Sequence, residues 1–240
     1  MNAERNCGFV KMLLLAVLMV APTVSCNAQE SDTATDAAST ETIVLFDGSN
    51  LDHWRGYHQE AIGEGWQVDD GILKFDGSGG GDIITRESFG DLELEFEWLV
   101  TPGANSGIMY RVGLGDSAPY LTGPEYQILD DELHPDGKNP LTSAASLYAL
   151  YDRGETETKP VGEWNTGKIV IRGNTVQHWL NGKLAVETEL GSDQWNELVT
   201  GSKFNGWEKF GKNAEGHICL QDHNDEVWYR NIRITVPAGE

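Results

Sequence analysis

The fold is decided by residues 168–189, KIVIRGNTVQHWLNGKLAVETE, in which two short turn sequences separate three alternating runs. The dipeptides Gly173-Asn174 and Asn181-Gly182 lie between the runs, and such pairs favour two-residue hairpin turns. Alternation of apolar and polar residues is typical of strands whose two faces meet different surroundings. This stretch therefore predicts a three-stranded antiparallel meander.

The same two-residue period recurs on both sides of the meander, and amphipathic helical periodicity is nearly absent. The chain is therefore predicted to be all-β, an antiparallel β-sandwich or jelly roll. The final run at 227–236 is expected to pair with residues 43–46, and residues 91–112 are expected to form a hairpin. The other alternating segments are DLELEFEWLV at 91–100, SGIMYR at 106–111, EYQIL at 125–129 and HICLQDH at 217–223.

The first 25 residues have the features of an export signal. Arg5 and Lys11 precede an apolar run at residues 12–21, which is too short to span a bilayer. Cys26 ends a Thr-Val-Ser-Cys sequence that is similar to a bacterial lipobox, with Thr23 where that motif usually has leucine. We therefore expect an exported protein, lipidated at Cys26 and located in the periplasm, at the outer membrane or at the cell surface.

The sequence divides into a signal peptide at 1–25, a disordered tether at 26–42 and one β-sandwich domain at 43–240. The tether is rich in Ser, Thr, Ala and acidic residues and has few bulky apolar side chains. Cys7 falls in the signal peptide and Cys26 is the lipidation site, so Cys219 has no intramolecular disulfide partner. A small buried thiol is its expected role.

The chain is strongly acidic, with 38 Asp and Glu against 17 Lys and Arg and a formal net charge of −21 at pH 7. Such a surface repels nucleic acid and anionic lipid. Neither is expected as a partner, and contact with a membrane is expected only through the lipid anchor.

Three of the predicted strands carry polar side chains at alternate positions. Glu125 and Gln127 share one strand face, and Gln221 and His223 share another. Arg111 lies on the same predicted face as Met109. Carboxylate, amide, imidazole and guanidinium groups on neighbouring strands would line a groove for a polyhydroxylated ligand.

The segment after the strand at 125–129, DDELHPDG, is rich in turn-forming residues. Asp130 follows Glu125 by five positions, so the two carboxylates converge only if the chain turns between them. His134 is then expected on a loop at the mouth of the groove, as a candidate acid or base. A His, Glu and Asp set is also compatible with a divalent metal, although no HxH or HExxH spacing is present and no other cofactor is indicated.

Other conspicuous side chains have plainer interpretations. Glu93, Glu95 and Glu97 alternate like the carboxylate ladder of retaining glucanases, but without its central aspartate, so they are interpreted as a solvated strand face. His178 lies among the apolar residues of its strand and is expected to be structural. Trp164 is a candidate platform on which a sugar ring stacks.

Seven blocks resemble, in order, those of the bacterial 3-keto-disaccharide hydrolase family, whose fold is similar to concanavalin A-like lectins and glucanases. They are LFDGSNLDHWRGY, GWQVDDGILKFDG, NSGIMYR, GPEYQILDD followed by His134, GEWN, HWLNGK and HICLQDH. The resemblance covers residues 43–236 and implies an enzyme for glycosides whose sugar a sugar 3-dehydrogenase has oxidised at C3. The matching polar positions are Asn105, Arg111, Glu125, Gln127, Asp130, His134, Tyr148, Gln221 and His223.

The implied reaction begins at C2, where the neighbouring ketone acidifies the proton. Its removal gives an enolate that expels the C1 substituent by β-elimination, with or without later addition of water. The candidates are His134 or His223 for the base, Arg111 and Gln221 for the enolate, and Glu125 or Asp130 for the acid. Two alternatives stay open: an ordinary two-carboxylate glycoside hydrolase and a carbohydrate-binding module without catalytic activity.

Overall fold

The computed structural model describes residues 40–237, which form two antiparallel β-sheets packed face to face. The predicted all-β sandwich is confirmed. The signal peptide, Cys26 and most of the predicted tether lie outside the described residues. Within residues 40–237, no helix is long and apolar enough to cross a membrane.

The elements follow one another in this order: β1 (Thr40–Phe46), β2 (Trp54–Gly56), β3 (Trp66–Asp69), β4 (Ile72–Asp76), β5 (Ile83–Thr85), β6 (Leu92–Val100), β7 (Asn105–Val112), β8 (Glu125–Leu129), β9 (Asn165–Arg172), β10 (Thr175–Leu180), β11 (Lys183–Glu189), α1 (Asp193–Gly201), β12 (His217–Leu220) and β13 (Glu226–Pro237). Short 3-10 helices occupy Pro119–Leu121 and Pro135–Lys138.

The larger sheet has the strand order β11-β10-β9-β6-β13-β4-β3, and β1 also pairs with β13. The long strand β13 pairs first with β4 and then with β1, while β6 runs along its other edge. Ile43 faces Ile234 and Phe46 faces Ile232. The predicted pairing of the first and last strands is confirmed, and β1 begins at Thr40, so it includes three residues that we had assigned to the tether.

The meander predicted for residues 168–189 is formed by β9, β10 and β11. At its second turn, Asn181 has a φ of +50° and Gly182 a φ of +79°. Two successive positive φ values are what a type I′ hairpin turn requires, and Asn-Gly supplies them at little steric cost. This part of the fold is therefore determined locally.

The smaller sheet has the order β2-β5-β12-β7-β8. The expected hairpin at residues 91–112 is wrong, because β6 pairs with β9 and β13 whereas β7 pairs with β8 and β12. The link at residues 101–104 therefore crosses from one sheet to the other. Both strands need an apolar inward face, so sequence periodicity alone does not show which sheet each strand joins.

The core fills the space between the sheets, where Phe96 and Trp98 of β6 meet Tyr126 and Ile128 of β8. The rings of Phe96 and Tyr126 pack edge to face at 5.3 Å. Burying each large apolar side chain contributes about 1.5–3 kcal/mol to folding. Because Tyr126 and Ile128 point inward, the alternate residues of β8 point to the outer face of the smaller sheet.

Two polar residues are buried as the sequence predicted. His178 lies 3.2 Å from the hydroxyl of Tyr110 through Nε2 and 3.2 Å from the carbonyl of Ala145 through Nδ1. Burial lowers the pKa of His178 to about 4, so it is neutral and structural. Cys219 packs with Met109 in a small second cluster, where burial raises the pKa of its thiol well above the usual value.

Candidate functional site

The outer face of the smaller sheet forms the floor of a cavity, and Gly107 lies between two of its lining residues, Gln127 and Gln221. Gly107 pairs with Gln127 on one side, and its carbonyl accepts a 3.0 Å hydrogen bond from Gln221 N on the other. The Glu125 side chain crosses the space above the glycine, with Oε1 only 2.1 Å from where a Cβ would lie. The missing side chain therefore lets the carboxyl group lie across the floor.

The aromatic part of the cavity wall comes mainly from residues 202–216, which follow α1 and belong to neither sheet. The rings of Phe204 and Phe210 stack at 4.1 Å with an interplanar angle of 8°. Trp207 meets them edge-on, at 5.1 Å and 6.1 Å. These contacts make the wall a packed aromatic unit.

The cavity has a volume of about 220 Å³. This is below the ~300–1,000 Å³ of sites for drug-sized ligands, so it suits one sugar ring, and a larger ligand must extend through the opening. The floor residues are Asn105, Gly123, Glu125, Gln127, Gln221 and His223, and the wall residues are Tyr120, Tyr148, Lys203, Phe204, Trp207 and Phe210. Of the residues that the sequence analysis selected, Asn105, Glu125, Gln127, Tyr148, Gln221 and His223 meet here.

Glu125 is an acid whose protonation is altered by the cavity. Burial raises its pKa from 4.5 to about 8, Lys203 opposes this shift, and Asp82 and Asp136 add to it. At pH 7 the group is therefore mainly a neutral carboxylic acid, which can donate a proton.

Lys203 supplies positive charge on the wall side. Its Nζ lies 4.0 Å from the ring centroid of Tyr148, a cation–π distance. Partial burial lowers the pKa of Lys203, and Glu125 and Asp136 counteract that effect. Tyr148 donates a 3.3 Å hydrogen bond to Asp136 Oδ2, and burial raises the pKa of its hydroxyl to about 12. Tyr148 is thus a neutral donor beside the cation.

Two amide oxygens at the floor are buried and have no hydrogen-bond partner among the described residues, Asn105 Oδ1 and Gln221 Oε1. A buried polar atom without a partner costs about 1–3 kcal/mol, so an amide that lines a cavity in this state indicates a group that a ligand satisfies. Gln127 differs, because its amide is already bonded to the carbonyl of Thr142 and the backbone N–H of Ile128.

His134 stands behind Asn105 and does not line the cavity. Its Nδ1 accepts a 3.1 Å hydrogen bond from the backbone N–H of Asp136. The neutral ring therefore carries its proton on Nε2, which lies 3.5 Å from the Asn105 amide. If His134 donates through Nε2–H, the oxygen of the Asn105 amide must face the imidazole ring. Asn105 Oδ1 then has the hydrogen-bond partner that it otherwise lacks. His134 is thus placed to orient Asn105.

His223 lines the cavity from its exposed rim. Its Nδ1 lies 3.9 Å from Asp225 Oδ2, and the same oxygen accepts a 3.1 Å hydrogen bond from the backbone N–H of Asn105. One carboxylate therefore faces the imidazole and fixes the first residue of β7. The rings of His134 and His223 are 6.5 Å apart, centroid to centroid.

Arg111 does not reach the cavity, contrary to the sequence-based expectation. Its φ is +53°, and the pairing of β7 with β12 is irregular at this point. The strand alternation fails here, and the buried guanidinium donates from Nη2 to the carbonyl of Gly173 at 2.5 Å. Local backbone geometry, which periodicity does not report, removes this residue from the site.

Asp130 and Trp164 also lie elsewhere. Asp130 Oδ2 accepts a 2.7 Å hydrogen bond from Gly103 N, and Oδ1 accepts one of 2.9 Å from Glu132 N. Oδ2 thus holds the link between the two sheets, Oδ1 stabilises the turn after β8, and the carboxylate does not line the cavity. The guanidinium of Arg230 covers the ring of Trp164 at 4.2 Å, so this indole is not a free platform for a sugar.

The glutamates of β6 form ion pairs on the outer face of the larger sheet, away from the cavity. The pairs are Glu93 with Arg172 at 2.7 Å, Glu95 with Arg233 at 2.7 Å and Glu97 with Arg230 at 2.6 Å. This arrangement agrees with a strand face and not with a catalytic ladder. Within residues 40–237, no three His, Cys, Asp or Glu side chains come together as a metal site.

Sequence reasoning missed the aromatic wall, Lys203 and Asp225. The wall did leave a signal, because Phe204, Trp207 and Phe210 recur every three residues in a segment without strand alternation. No sequence signal pointed to Asp225, because its role depends on a loop that brings its carboxylate beside the first residue of β7.

The chain also matches known proteins over most of its length. A family model described as a 3-keto-alpha-glucoside-1,2-lyase-like domain matches residues 41–235. A Bacteroides thetaiotaomicron protein named 3-keto-disaccharide hydrolase is 39% identical over 225 residues, which cover 81% of this chain and 78% of that protein.

Two crystal structures from Parabacteroides distasonis ATCC 8503, both named provisionally as glycosyl hydrolases, share the fold. One is 30% identical with a TM-score of 0.75, covering 80% of this chain and 92% of its own. The other is 26% identical with a TM-score of 0.61, and the match covers 80% of this chain and 82% of that one. Since the family match spans nearly all of both sheets and every cavity residue, the chain belongs to the family of 3-keto-alpha-glucoside-1,2-lyase-like domains.

Proposed function

We propose that this protein cleaves glycosides whose sugar carries a ketone at C3, by removing the C2 proton and expelling the C1 substituent. The observation that carries the proposal is the placement of Glu125, whose pKa burial raises to about 8, in the same cavity as His223, which faces the carboxylate of Asp225. The names of the matched family and of the Bacteroides relative support the same substrate class.

His223 is the base in this proposal. Asp225 Oδ2, 3.9 Å from Nδ1, stabilises the imidazolium that forms when Nε2 takes the C2 proton. His134 is less suited, because its Nδ1 is occupied by Asp136 N–H and its Nε2 already carries a proton. His134 serves instead as the donor that positions Asn105.

Negative charge develops on the C3 oxygen as the C2 proton leaves. Lys203 is the cation on the cavity wall, and it takes the role that the sequence analysis gave to Arg111. A preorganised charge or donor at a developing oxyanion typically contributes about 10²–10³ in kcat. The unpartnered oxygen of Gln221 accepts a hydrogen bond from a sugar hydroxyl. The Asn105 amide, oriented by His134, presents its NH₂ group to a second one, so that the ring is held over the floor.

Glu125 then protonates the C1 oxygen substituent as its bond to carbon breaks. The product of this step is an enone, a free alcohol and a Glu125 carboxylate. Water adds to C1 of the enone and gives its proton to that carboxylate, while the exposed imidazolium of His223, after exchanging its proton with solvent, protonates C2. The net reaction is hydrolysis, and both side chains regain their starting protonation.

An ordinary two-carboxylate hydrolase is disfavoured by the position of the acids. Inverting and retaining enzymes need a second carboxyl group about 5–9.5 Å from the first. The expected second group, Asp130, is bonded to backbone N–H groups outside the cavity, and Glu125 is the only carboxylate among the described lining residues.

We also propose that the protein is exported and lipidated, and that a sugar 3-dehydrogenase supplies its substrate. Export rests on Arg5, Lys11 and the apolar run before Cys26. An earlier oxidation step is needed because the proposed reaction starts from a sugar that already carries a ketone at C3. The intact mass of the mature protein tests the first part, since lipidation predicts an acylated N-terminal Cys26 that Cys26→Ala abolishes.

The experiment for the reaction compares a 3-keto-disaccharide with its unoxidised parent in D₂O. We expect cleavage of the keto form alone, with an absorbing enone as intermediate and deuterium at C2 of the product. Cleavage of the parent would identify an ordinary glycosidase, and retention of the C2 hydrogen would indicate direct displacement at C1. Binding of the keto form without cleavage would identify a carbohydrate-binding module.

Two controls sharpen this experiment. Glu125→Gln should bind the keto-disaccharide without releasing sugar, while Glu95→Gln on the other sheet should behave like the wild type. Repeating the assay after treatment with a chelator, and again after adding back divalent ions, shows whether a metal takes part.

A further inference from the structure

We propose that Tyr120 and Trp207 form a second subsite, which binds the pyranose ring of a sugar leaving group. The inference rests on the proposed function, because it assigns the position of the part of the substrate that departs from C1. It concerns a different property, the choice of leaving group, and it can fail while the reaction itself is upheld.

The aromatic side of the cavity changes from buried to exposed along its length. Phe204 and Phe210 are 4% and 3% exposed, whereas Tyr120 is 44% exposed. The rings of Tyr120 and Trp207 lie next to each other, 5.8 Å apart with an interplanar angle of 39°. These two rings therefore form the aromatic edge of the opening.

The tryptophan of this pair is held in place by its neighbours. It contacts Phe204 and Phe210 edge-on, and Phe210 stacks on Trp195 at 5.9 Å with an interplanar angle of 6°. A 2.9 Å hydrogen bond from Gly211 N to the carbonyl of Thr122 ties the Trp207 segment to the chain that carries Tyr120. A rigid surface loses little conformational entropy when a ligand packs on it.

The shape of the site determines which part of a substrate meets this surface. The polar groups lie mainly on the floor, and the volume of about 220 Å³ accommodates one ring. A keto-sugar seated over Glu125 and His223 fills that space, so a second ring attached at C1 must leave through the opening. The apolar face of a pyranose packs favourably on an aromatic ring. The Tyr120–Trp207 edge is thus suited to a sugar leaving group.

The test measures kcat and KM for two substrates with the same keto-sugar, a 3-keto-disaccharide and the matching methyl 3-keto-glycoside. Trp207→Ala and Tyr120→Ala should each lower kcat/KM about tenfold more for the disaccharide than for the methyl glycoside, mainly through KM. Trp228→Ala, on the larger sheet, is the matched tryptophan control and should leave both substrates unaffected.

The outcomes separate this inference from the proposed function. Equal losses on both substrates, or no loss on either, would overturn the leaving-group subsite while the reaction stands. Cleavage of neither substrate by the wild-type protein would overturn the proposed function and the subsite together. Tyr120→Ala keeps the test decisive if Trp207→Ala lowers the melting temperature, because Tyr120 is largely exposed.

Discussion

The outer faces of the two sheets carry similar acids in different surroundings. On the larger sheet, Glu95 is 42% exposed and bonded to Arg233. On the smaller sheet, Glu125 lies under the aromatic wall, where burial raises its pKa to about 8. A solvated ion pair contributes about 0–1 kcal/mol, whereas a desolvated acid keeps a proton it can donate. The same strand alternation thus yields a surface in one sheet and a candidate acid in the other.

The difference comes from what covers each face. Three aromatic rings from residues 202–216, Phe204, Trp207 and Phe210, line the cavity opposite Glu125 and Gln127. In the described part of the larger sheet, arginines from neighbouring strands neutralise the glutamates. Glu125 is half-buried and, among the described residues, has no cationic hydrogen-bond partner, and this lets the carboxyl group keep a proton.

The largest expected effect tests this comparison directly, by making the same change on both faces. Glu125→Gln should lower kcat on a 3-keto-disaccharide by about 10²–10⁴-fold, because it removes the proton donor. Glu95→Gln should change kcat by no more than about twofold, since it alters only a solvated pair. The measurement is the steady-state kcat of the two variants. Similar losses of kcat in both would contradict the assignment of the site to the smaller sheet.

The next largest effect separates the two histidines. His223→Asn should lower kcat by about 10²-fold, as expected for loss of a general base. His134→Asn should lower kcat/KM by about tenfold, mainly through KM, because it releases the Asn105 amide. The pH profile of kcat supports the distinction if its acidic limb disappears only in the His223 variant. A larger loss in the His134 variant would reverse the two roles.

A smaller effect is expected from adding one methyl group to the floor. In Gly107→Ala the new Cβ would lie 2.1 Å from Glu125 Oε1, so the carboxyl group must move. We expect about a tenfold loss of kcat with little change in melting temperature, because the end of a flexible side chain gives way. Gly167→Ala on the larger sheet is the matched control, since its Cβ would lie 2.2 Å from the buried ring of Phe96. It should lower the melting temperature and spare kcat.

The smallest effect is on the pH dependence of stability. Glu125 has a folded-state pKa of about 8 against an ordinary value of 4.5. Between these values the folded protein binds more protons than the unfolded chain, so the free energy of unfolding falls as pH rises. Glu125→Gln removes this contribution and should give a shallower decline from pH 5 to pH 8 in thermal unfolding. An unchanged slope would show that Glu125 is not desolvated.

Local sequence was sufficient for much of the fold. Asn181-Gly182 defines its turn because few other dipeptides adopt two positive φ values at low cost. The β8 alternation places Glu125 and Gln127 on one face for the same geometric reason. It did not reveal that Arg111 would adopt a positive φ and turn away to Gly173. A two-residue period predicts which face of the sheet a side chain occupies only while the backbone stays extended.

By itself, the sequence determined the strands, the hairpin turns, the class of fold and four of the residues that line the cavity, because these depend on alternation and on turn-forming dipeptides. Two more lining residues, Asn105 and Tyr148, came from the family resemblance. Only the tertiary structure decided which sheet β6 and β7 join, and that the wall at residues 202–216 lies over Glu125. It also decided that Asp225 faces His223 and that Asp130 is bonded to backbone N–H groups outside the cavity. Desolvation and hydrogen bonding between distant segments depend on packing in three dimensions, and no local period in the sequence encodes them.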